Sequence, residues 1–525
     1  MVSTNLTIPA MLARSVAQHG DHTAILEQDQ AVSYSQLQHS ALQVTAGLIS
    51  LGVQAGDRVA IWAPNCSEWI IAALGIHCAG AVLVPVNTRM KGSEAGYVLA
   101  SSGARVLFCV GQFLGNHYPD LLSGNRPESL AHIVVIGNAR ADELSWGAFI
   151  AQGREADPQG EQVQARTDAV HGEMPSDLMF TSGTTGNPKG VLAGHAQNLR
   201  AIGGWAEAME LCANDRYLIV NPFFHAMGYK AGWLAALMSG ATIIPLQIFD
   251  SAVILQTIER LRISVLPGPP TVFHGLLADP GLRKTDLSSL RASITGSTTI
   301  PPSLIQRMRD ELGFKVVLTG YGLTESCGFA TLTDRYDDPQ RVANTCGRAM
   351  PGVELKIVDE SGEPAAVGVA GELLIRGYNV MQGYFGDPQA TAEVIDEHGW
   401  LRTGDIGLID AAGYLRITDR LKDMYIAGGF NCYPAEIERL IAAHPGVAQV
   451  AVVGVADERM GEVGRAFIVL RPGAKLGAEE LVSWCRAAMA NYKVPRYIDF
   501  VQSLPVNPGG KVLKRELKAV AIPTA

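Results

Sequence analysis

Residues 180–191 read Phe180-Thr181-Ser182-Gly183-Thr184-Thr185-Gly186-Asn187-Pro188-Lys189-Gly190-Val191, with three glycines, four hydroxyls and one lysine within ten positions. Glycine lets backbone N–H groups approach an anion closely, and hydroxyls with an ammonium can surround the oxygens of a polyphosphate. The stretch therefore reads as a phosphate cradle, the bland alternative being a Gly/Ser linker. It is not the Walker pattern, because Asn187-Pro188 separates Gly186 from Lys189 and no Gly-Lys-Ser/Thr follows. Four further groups of chemically capable residues lie downstream: Tyr321-Gly322-Leu323-Thr324-Glu325, Thr403-Gly404-Asp405, Asp419-Arg420-Leu421-Lys422-Asp423 and Pro508-Gly509-Gly510-Lys511. A carboxylate such as Glu325 is the hard ligand Mg²⁺ accepts, and an ionised Asp405 can take two hydroxyl donors at once. Standing alone, a Thr-Glu pair more often caps a helix, a Gly-Asp pair makes a turn, and a lysine is a solvated surface group.

These residues need a scaffold, and the intervening sequence describes one. Ser35 is the expected N-cap of an amphipathic helix. Its apolar positions Leu37, Ala41, Val44, Leu48 and Leu51 step by four and three, and Gly52 stands where it should stop. A strand at 58–62, a helix at 69–80 and a strand at 81–86 follow, and the same rhythm returns at 218–221, 241–245, 253–261, 303–312 and 315–319. Helices alternating with buried strands predict an α/β fold built on a mostly parallel sheet with helices on its faces. Past Gly347 short strands separated by glycine turns, at 354–359, 371–377, 406–410 and 414–418, predict a β-rich subdomain spanning about 347–419. The charged pentapeptide at 419–423 marks a border. A helix at 434–443 and a strand at 449–455 lie beyond it, giving an N-terminal domain 1–419, a hinge 420–422 and a small α+β C-terminal domain 423–525.

Composition narrows the function. With 525 residues and 47% hydrophobic content the chain buries a large core in more than one domain, and a net charge of −9 leaves no basic stripe for nucleic acid. The eight cysteines (Cys66, Cys78, Cys109, Cys212, Cys327, Cys346, Cys432, Cys485) include no CxxC pair, which suits reduced thiols rather than a zinc site or a disulfide framework. Residues 1–20 carry no secretory leader pattern and residues 522–525 no targeting tail, so a cytoplasmic protein is expected. Residues 69–86 are apolar enough to suggest a membrane span, but Gly75, His77, Gly80 and Pro85 interrupt it. A buried helix and strand are expected there, with no stable membrane insertion.

With the five motifs in this order, the chain resembles the adenylate-forming acyl-CoA synthetases of the ANL superfamily over nearly its full length. The resemblance implies an AMP-forming acid–thiol ligase that joins a carboxylate to the α-phosphate of ATP, expels pyrophosphate and passes the acyl group to coenzyme A. It implies that Thr181, Ser182, Gly183, Thr184, Thr185, Gly186 and Lys189 hold the β- and γ-phosphates, that Thr324 touches phosphate, and that Glu325 holds Mg²⁺. Asp405 would take the ribose hydroxyls with Arg420 nearby, and adenine would lie beside Gly296, Ser297, Thr298, Tyr321 and Gly322. Lys511 would bridge the carboxylate and the α-phosphate, offsetting their repulsion. In the family the C-terminal domain then turns about the residue matching Lys422, withdrawing Lys511 and presenting Gly428 and Gly429 to a pantetheine arm that needs a narrow path.

The segment Asn221-Pro222-Phe223-Phe224-His225-Ala226-Met227-Gly228-Tyr229-Lys230-Ala231-Gly232 would receive the acyl group, His225 matching the histidine that flanks the reacting carboxylate. A lone histidine is more often packed in a core. Met227, Tyr229, Trp233, Cys327, Gly328 and Phe329 are candidate pocket walls. Lys230 is unusual, since an ammonium in an apolar stretch needs a partner: it is either a solvated charge or a donor to a carbonyl on the acyl chain. Together with residues 266–271, 419–436 and 461–467, this segment is similar to the bacterial ligases of steroid catabolism. Those act on a bicyclic methylhexahydroindanedione propanoate (HIP), left in cholesterol and steroid degradation. A medium- or long-chain fatty acyl-CoA synthetase is the alternative, then a peptide-synthetase adenylation module, and outside enzymes an inactive nucleotide-binding sensor. The expected partners are a small carboxylic acid and CoA, and the sequence leaves a homodimer open.

Overall fold

The computed structural model describes residues 6–181, 188–296, 300–420, 423–427, 430–457, 460–489, 491–507 and 512–520. Helix Tyr34–Ser50 shows how local chemistry sets an element. Its N-cap is Ser33 rather than the expected Ser35: Gln36 N donates to Ser33 Oγ at 3.2 Å, and Ser33 N donates to the Gln36 side chain at 2.9 Å. This reciprocal box satisfies two backbone donors that a cap at Ser35 would leave open. Leu37, Ala41, Val44 and Leu48 are all fully buried, and Gly52 turns the chain at φ +78°. Helix Ser67–Cys78 is apolar on every side and buried, and strand Val82–Pro85 follows it, as the interrupted apolar run predicted. Among the described residues, no helix is long and apolar enough to cross a membrane.

An eight-stranded sheet organises the first half. Its order is Gly383–Tyr384, Lys189–Gly194, Pro175–Thr181, Val82–Pro85, Arg58–Trp62, Val106–Val110, His132–Ile136 and Leu144–Ser145. The last six run parallel, whereas Lys189–Gly194 lies antiparallel to Pro175–Thr181 and Gly383–Tyr384 antiparallel to Lys189–Gly194. A second sheet pairs Arg216–Ile219 and Thr242–Pro245 in parallel with Thr23–Glu27. Through Val265 it reaches Ala292–Ile294 and Val316–Leu318. Ligands of such sheets bind beyond the carboxyl ends of parallel strands, and Thr181 is the last residue of its strand.

After Gly347 the texture changes as expected. Val353–Val358, Gly371–Gly377, Leu401–Ile409 and Leu415–Arg420 form an antiparallel four-stranded sheet. Beyond it Phe430–Cys432, Tyr425–Ala427, Gly461–Leu470, Val447–Asp457 and Tyr497–Phe500 make a separate sheet, packed on helix Pro434–Ala442 through Ile437, Ile441, Val452 and Ile468.

Candidate active site

The cradle is framed by a rigid pair of strands. Thr181 and Lys189 are register partners at the end of the antiparallel ladder, after Phe180 with Gly190 and Met179 with Val191. Ser182, Gly183, Thr184, Thr185 and Gly186, which would form the tip, lie outside the described residues. Lys189 Nζ stands 4.9 Å from the centroid of the Tyr384 ring, and the Tyr384 hydroxyl donates to Glu325 Oε1 at 3.1 Å. Burial, then the Glu325 charge, pushes the Tyr384 phenol up, so it stays a protonated donor. Cation, ring and carboxylate thus form one contiguous series beside the paired ends of the two strands at Thr181 and Lys189.

Glu325 itself is fixed by its backbone. Thr324–Ser326 make a single tight turn with Leu323 as its N-cap, Leu323 N donates to Ser326 Oγ at 2.8 Å, and Met381 N donates to the Glu325 carbonyl at 2.8 Å. Thr324 therefore does not cap a helix. Gly322 is demanded by close approach: a Cβ there would stand 2.2 Å from the Gly328 carbonyl oxygen.

Tyr321 and Asp405, from two separate motifs, meet in the fold. The Tyr321 hydroxyl donates to Asp405 Oδ2 at 2.5 Å, and Asp405, on strand Leu401–Ile409, is buried. Arg420 is the register partner of Asp405 on the neighbouring strand, with its side chain outside the described set. A Cβ at Gly296 would stand 3.8 Å from Thr319 Oγ1, which sets that glycine beside the strand end leading to Tyr321. Ser297, Thr298, Lys422, Gly428, Gly429 and Lys511 also lie outside the described residues.

The acyl segment begins with a clamp. Asn65, buried, accepts from Phe223 N at 2.8 Å and donates to the carbonyls of Asn221 at 3.0 Å and Ile219 at 3.3 Å. This presents His225 as the N-cap of Ala226–Gly228, its Nδ1 accepting from Met227 N at 3.3 Å. An accepting Nδ1 assigns the proton of the neutral ring to Nε2. His225 as a residue is exposed to solvent, while the protein atoms crowded around its ring desolvate the imidazole and hold it below its usual pKa. His225 is therefore not a packed core histidine.

Behind it the chain turns inward through a kinked helical segment, Tyr229–Leu234. Tyr229 is fully buried, stacked on Trp233 at 5.0 Å, and its hydroxyl shares a 3.1 Å hydrogen bond with His77 Nε2. Lys230 is 1% exposed, which overturns the solvated alternative, and its Nζ lies 3.1 Å from Asp177 Oδ1. Asp177 Oδ2 accepts from Ser176 Oγ at 2.9 Å and from Asn198 Nδ2. Cys327 is buried and Gly328 half-buried, with a Cβ position 3.2 Å from the Ala226 side chain. Burial pushes the Cys327 thiol up to about 11, with Lys230 pulling it down and Asp177 pushing it up, so both charges reach the Glu325 turn.

The chain is similar to known proteins over its whole length. The family description "AMP-binding enzyme" matches residues 12–385, and that of the "AMP-binding enzyme C-terminal domain" matches residues 436–511. The chain belongs to the AMP-binding enzyme family. Within it, a 3-[(3aS,4S,7aS)-7a-methyl-1,5-dioxo-octahydro-1H-inden-4-yl]propanoyl:CoA ligase of Mycobacterium tuberculosis is 49% identical over 518 residues, covering 99% of both chains. A ligase of the same name from Rhodococcus jostii is 45% identical over 524 residues, again 99% of both. Among solved structures, ATP-bound MatB from Rhodopseudomonas palustris superposes with a TM-score of 0.85 at 28% identity, covering 98% of each chain.

This AMP-binding enzyme is thus an acyl-CoA ligase of α/β architecture, an acid–thiol ligase using ATP and coenzyme A. Its residues also fit the family's Mg²⁺. Among the described residues no cluster of three His, Cys, Asp or Glu could hold a metal, but Mg²⁺ takes one or two carboxylates and completes its shell with phosphate and water. Glu325, half-buried beside the cradle and steadied by Tyr384, is such a carboxylate. When bound, the ion would neutralise phosphate charge as pyrophosphate leaves.

Sequence reasoning missed three participants. Tyr384 carries no motif and reaches Lys189 only because its strand is the register partner of Val191. Asn65 acts 158 residues from the amide it accepts from. Asp177 did leave a signal, a carboxylate inside an apolar strand that demands a buried cation.

Proposed function

We propose that this ligase activates a steroid-derived bicyclic propanoate, the methylhexahydroindanedione propanoate, through an acyl-adenylate and then an acyl-CoA. The observation that carries the substrate is full-length identity of 49% and 45% to two ligases named for that acid. In this reading His225, through Nε2–H, donates to the substrate carboxylate and keeps it facing the α-phosphate. Lys189 and Thr181 serve the β- and γ-phosphates with residues 182–186, Thr324 touches phosphate, and Glu325 carries Mg²⁺. Asp405 with Arg420 takes the ribose, and Tyr321, Gly322 and residues 296–298 border adenine. The catalytic cation is Lys511, carried by a C-terminal domain of residues 423–525 that swivels about Lys422 and brings Gly428 and Gly429 to the CoA arm. Eight free cysteines support a reducing, cytoplasmic setting. The test is AMP and thioester formation measured across the indanedione propanoate, octanoate and hexadecanoate. The bicyclic acid is expected to show the highest kcat/KM, and clear preference for a straight chain would end the proposal.

A further inference from the structure

The buried pair of Lys230 and Asp177 belongs to none of the five motifs that would serve the nucleotide. Two charges taken out of water are often replaced by apolar side chains without loss, so a pair retained at this depth calls for another explanation. Its surroundings deepen the question. Among the described residues, Trp69 Nε1, His77 Nδ1, Asn198 Oδ1 and Trp233 Nε1 are buried and lack hydrogen-bond partners, and Asp177 Oδ1 meets Lys230 without hydrogen-bond geometry. These groups are contiguous: Trp69 packs on Trp233 at 6.0 Å, Trp233 on Tyr229, and Tyr229 on His77, while Asn198 holds Asp177. Buried polar atoms without partners mark a place where water or a polar ligand atom belongs.

The position is equally specific. Lys230 follows His225 by five residues, Asp177 precedes Thr181 by four, and Cys327 follows Glu325 by two, so the pair is carried on the same three segments as the acyl, cradle and metal motifs. The turn that carries Lys230 is kinked, with Gly232 off the helical path at φ −83° and ψ −106°.

We propose that Lys230 is a specificity-determining residue of the acyl pocket, anchored by Asp177 so that its ammonium donates to a neutral oxygen on the acyl group, remote from the carboxylate. The inference rests on the acyl-CoA ligase reading and narrows its substrate class to acids bearing a ketone or hydroxyl. Charge selects the partner's type: Asp177 already balances the ammonium, so a second substrate carboxylate would be buried uncompensated, whereas a carbonyl adds an acceptor and no charge. Asp177 is a positioning residue, and Ser176 and Asn198 orient it in turn.

The test compares matched acids differing only in one oxygen: the indanedione propanoate against analogues lacking either ketone, and an oxo-octanoate against octanoate. Carboxylate-dependent exchange between ATP and pyrophosphate is the readout. For wild type, the ketone should raise kcat/KM about tenfold to a hundredfold within at least one pair. Lys230→Met should abolish that ratio, while turnover of the deoxo acid falls far less, and Lys230→Gln, a neutral donor, should restore part of it. An equal fall on both members of every pair would overturn the proposal and leave the ligase reading intact. Should wild type prefer straight chains, the bicyclic substrate fails, but the oxo-octanoate ratio still decides the role of Lys230. If the variants do not fold, the infrared carbonyl stretch of ¹³C-ketone-labelled acid bound to wild type replaces them. A shift below the frequency in water is expected for one ketone, and no shift for either overturns the assignment.

Discussion

Two carboxylates of the site, Glu325 and Asp405, are each approached by a tyrosine hydroxyl, from Tyr384 and Tyr321. A phenol on one oxygen fixes the carboxylate plane without neutralising it, so the charge remains for a metal or a ribose. Glu325→Gln keeps the shape and removes the charge. AMP formation is expected to fall by about 100-fold or more, with the half-saturating Mg²⁺ concentration raised, as a metal titration under saturating ATP would show. An unchanged Mg²⁺ requirement would remove Glu325 from that role. All five motif groups were visible in the sequence because each is short and local. The line from Lys189 through Tyr384 to Glu325 was not, because it joins residues far apart in the chain through sheet register.

The turn from Tyr321 to Phe329 shows how an element places chemistry. Ala330 N donates to the Tyr321 carbonyl at 2.8 Å and Gly328 N to the Leu323 carbonyl at 2.8 Å, folding the segment so tightly that Gly322 faces the Gly328 carbonyl. Gly322→Ala forces that backbone apart. The expected result is a destabilisation of about 1–3 kcal/mol, seen as a lowered thermal midpoint, together with a raised KM for ATP because Tyr321 and Glu325 sit on either side of the strained point. A thermal midpoint equal to wild type would contradict the tight packing. Element type and order were legible from apolar spacing, as at Leu37, Ala41, Val44 and Leu48. The start of that helix was not, since Ser33 and Ser35 are both competent caps and only the reciprocal bond with Gln36 selects one.

Two properties belong to the molecule as a whole. The first is acid sensitivity. His77 and His195 are fully buried, with ring centroids 5.4 Å apart. Burial pushes His195 from 6.5 down to about 3 and His77 well below its usual value, each further lowered by a neighbouring histidine. Both rings are neutral when folded, whereas the unfolded chain takes up protons below about 6.5. Stability present above that pH is therefore lost as pH falls toward 3. Thermal midpoints should drop progressively from pH 7 to pH 4.5, and His195→Gln should flatten the drop. An equally steep profile in the variant would assign the effect elsewhere. The second is the proposed division of labour between half-reactions. Lys511→Ala should lose adenylation by orders of magnitude while thioester formation from supplied acyl-adenylate survives. Equal loss of both would refute a domain that swivels between two tasks.

Taken alone, the sequence determined the reaction class, the α/β alternation and the β-rich segment after Gly347, because short motifs and apolar periodicity are local and survive without neighbours. It also showed that Lys230 needed a partner. Which partner, and whether that ammonium faced water or the interior, was decided by the packing of a kinked turn against the central sheet. A buried charge is defined by what surrounds it on every side, and only the assembled fold brings Asp177 to it.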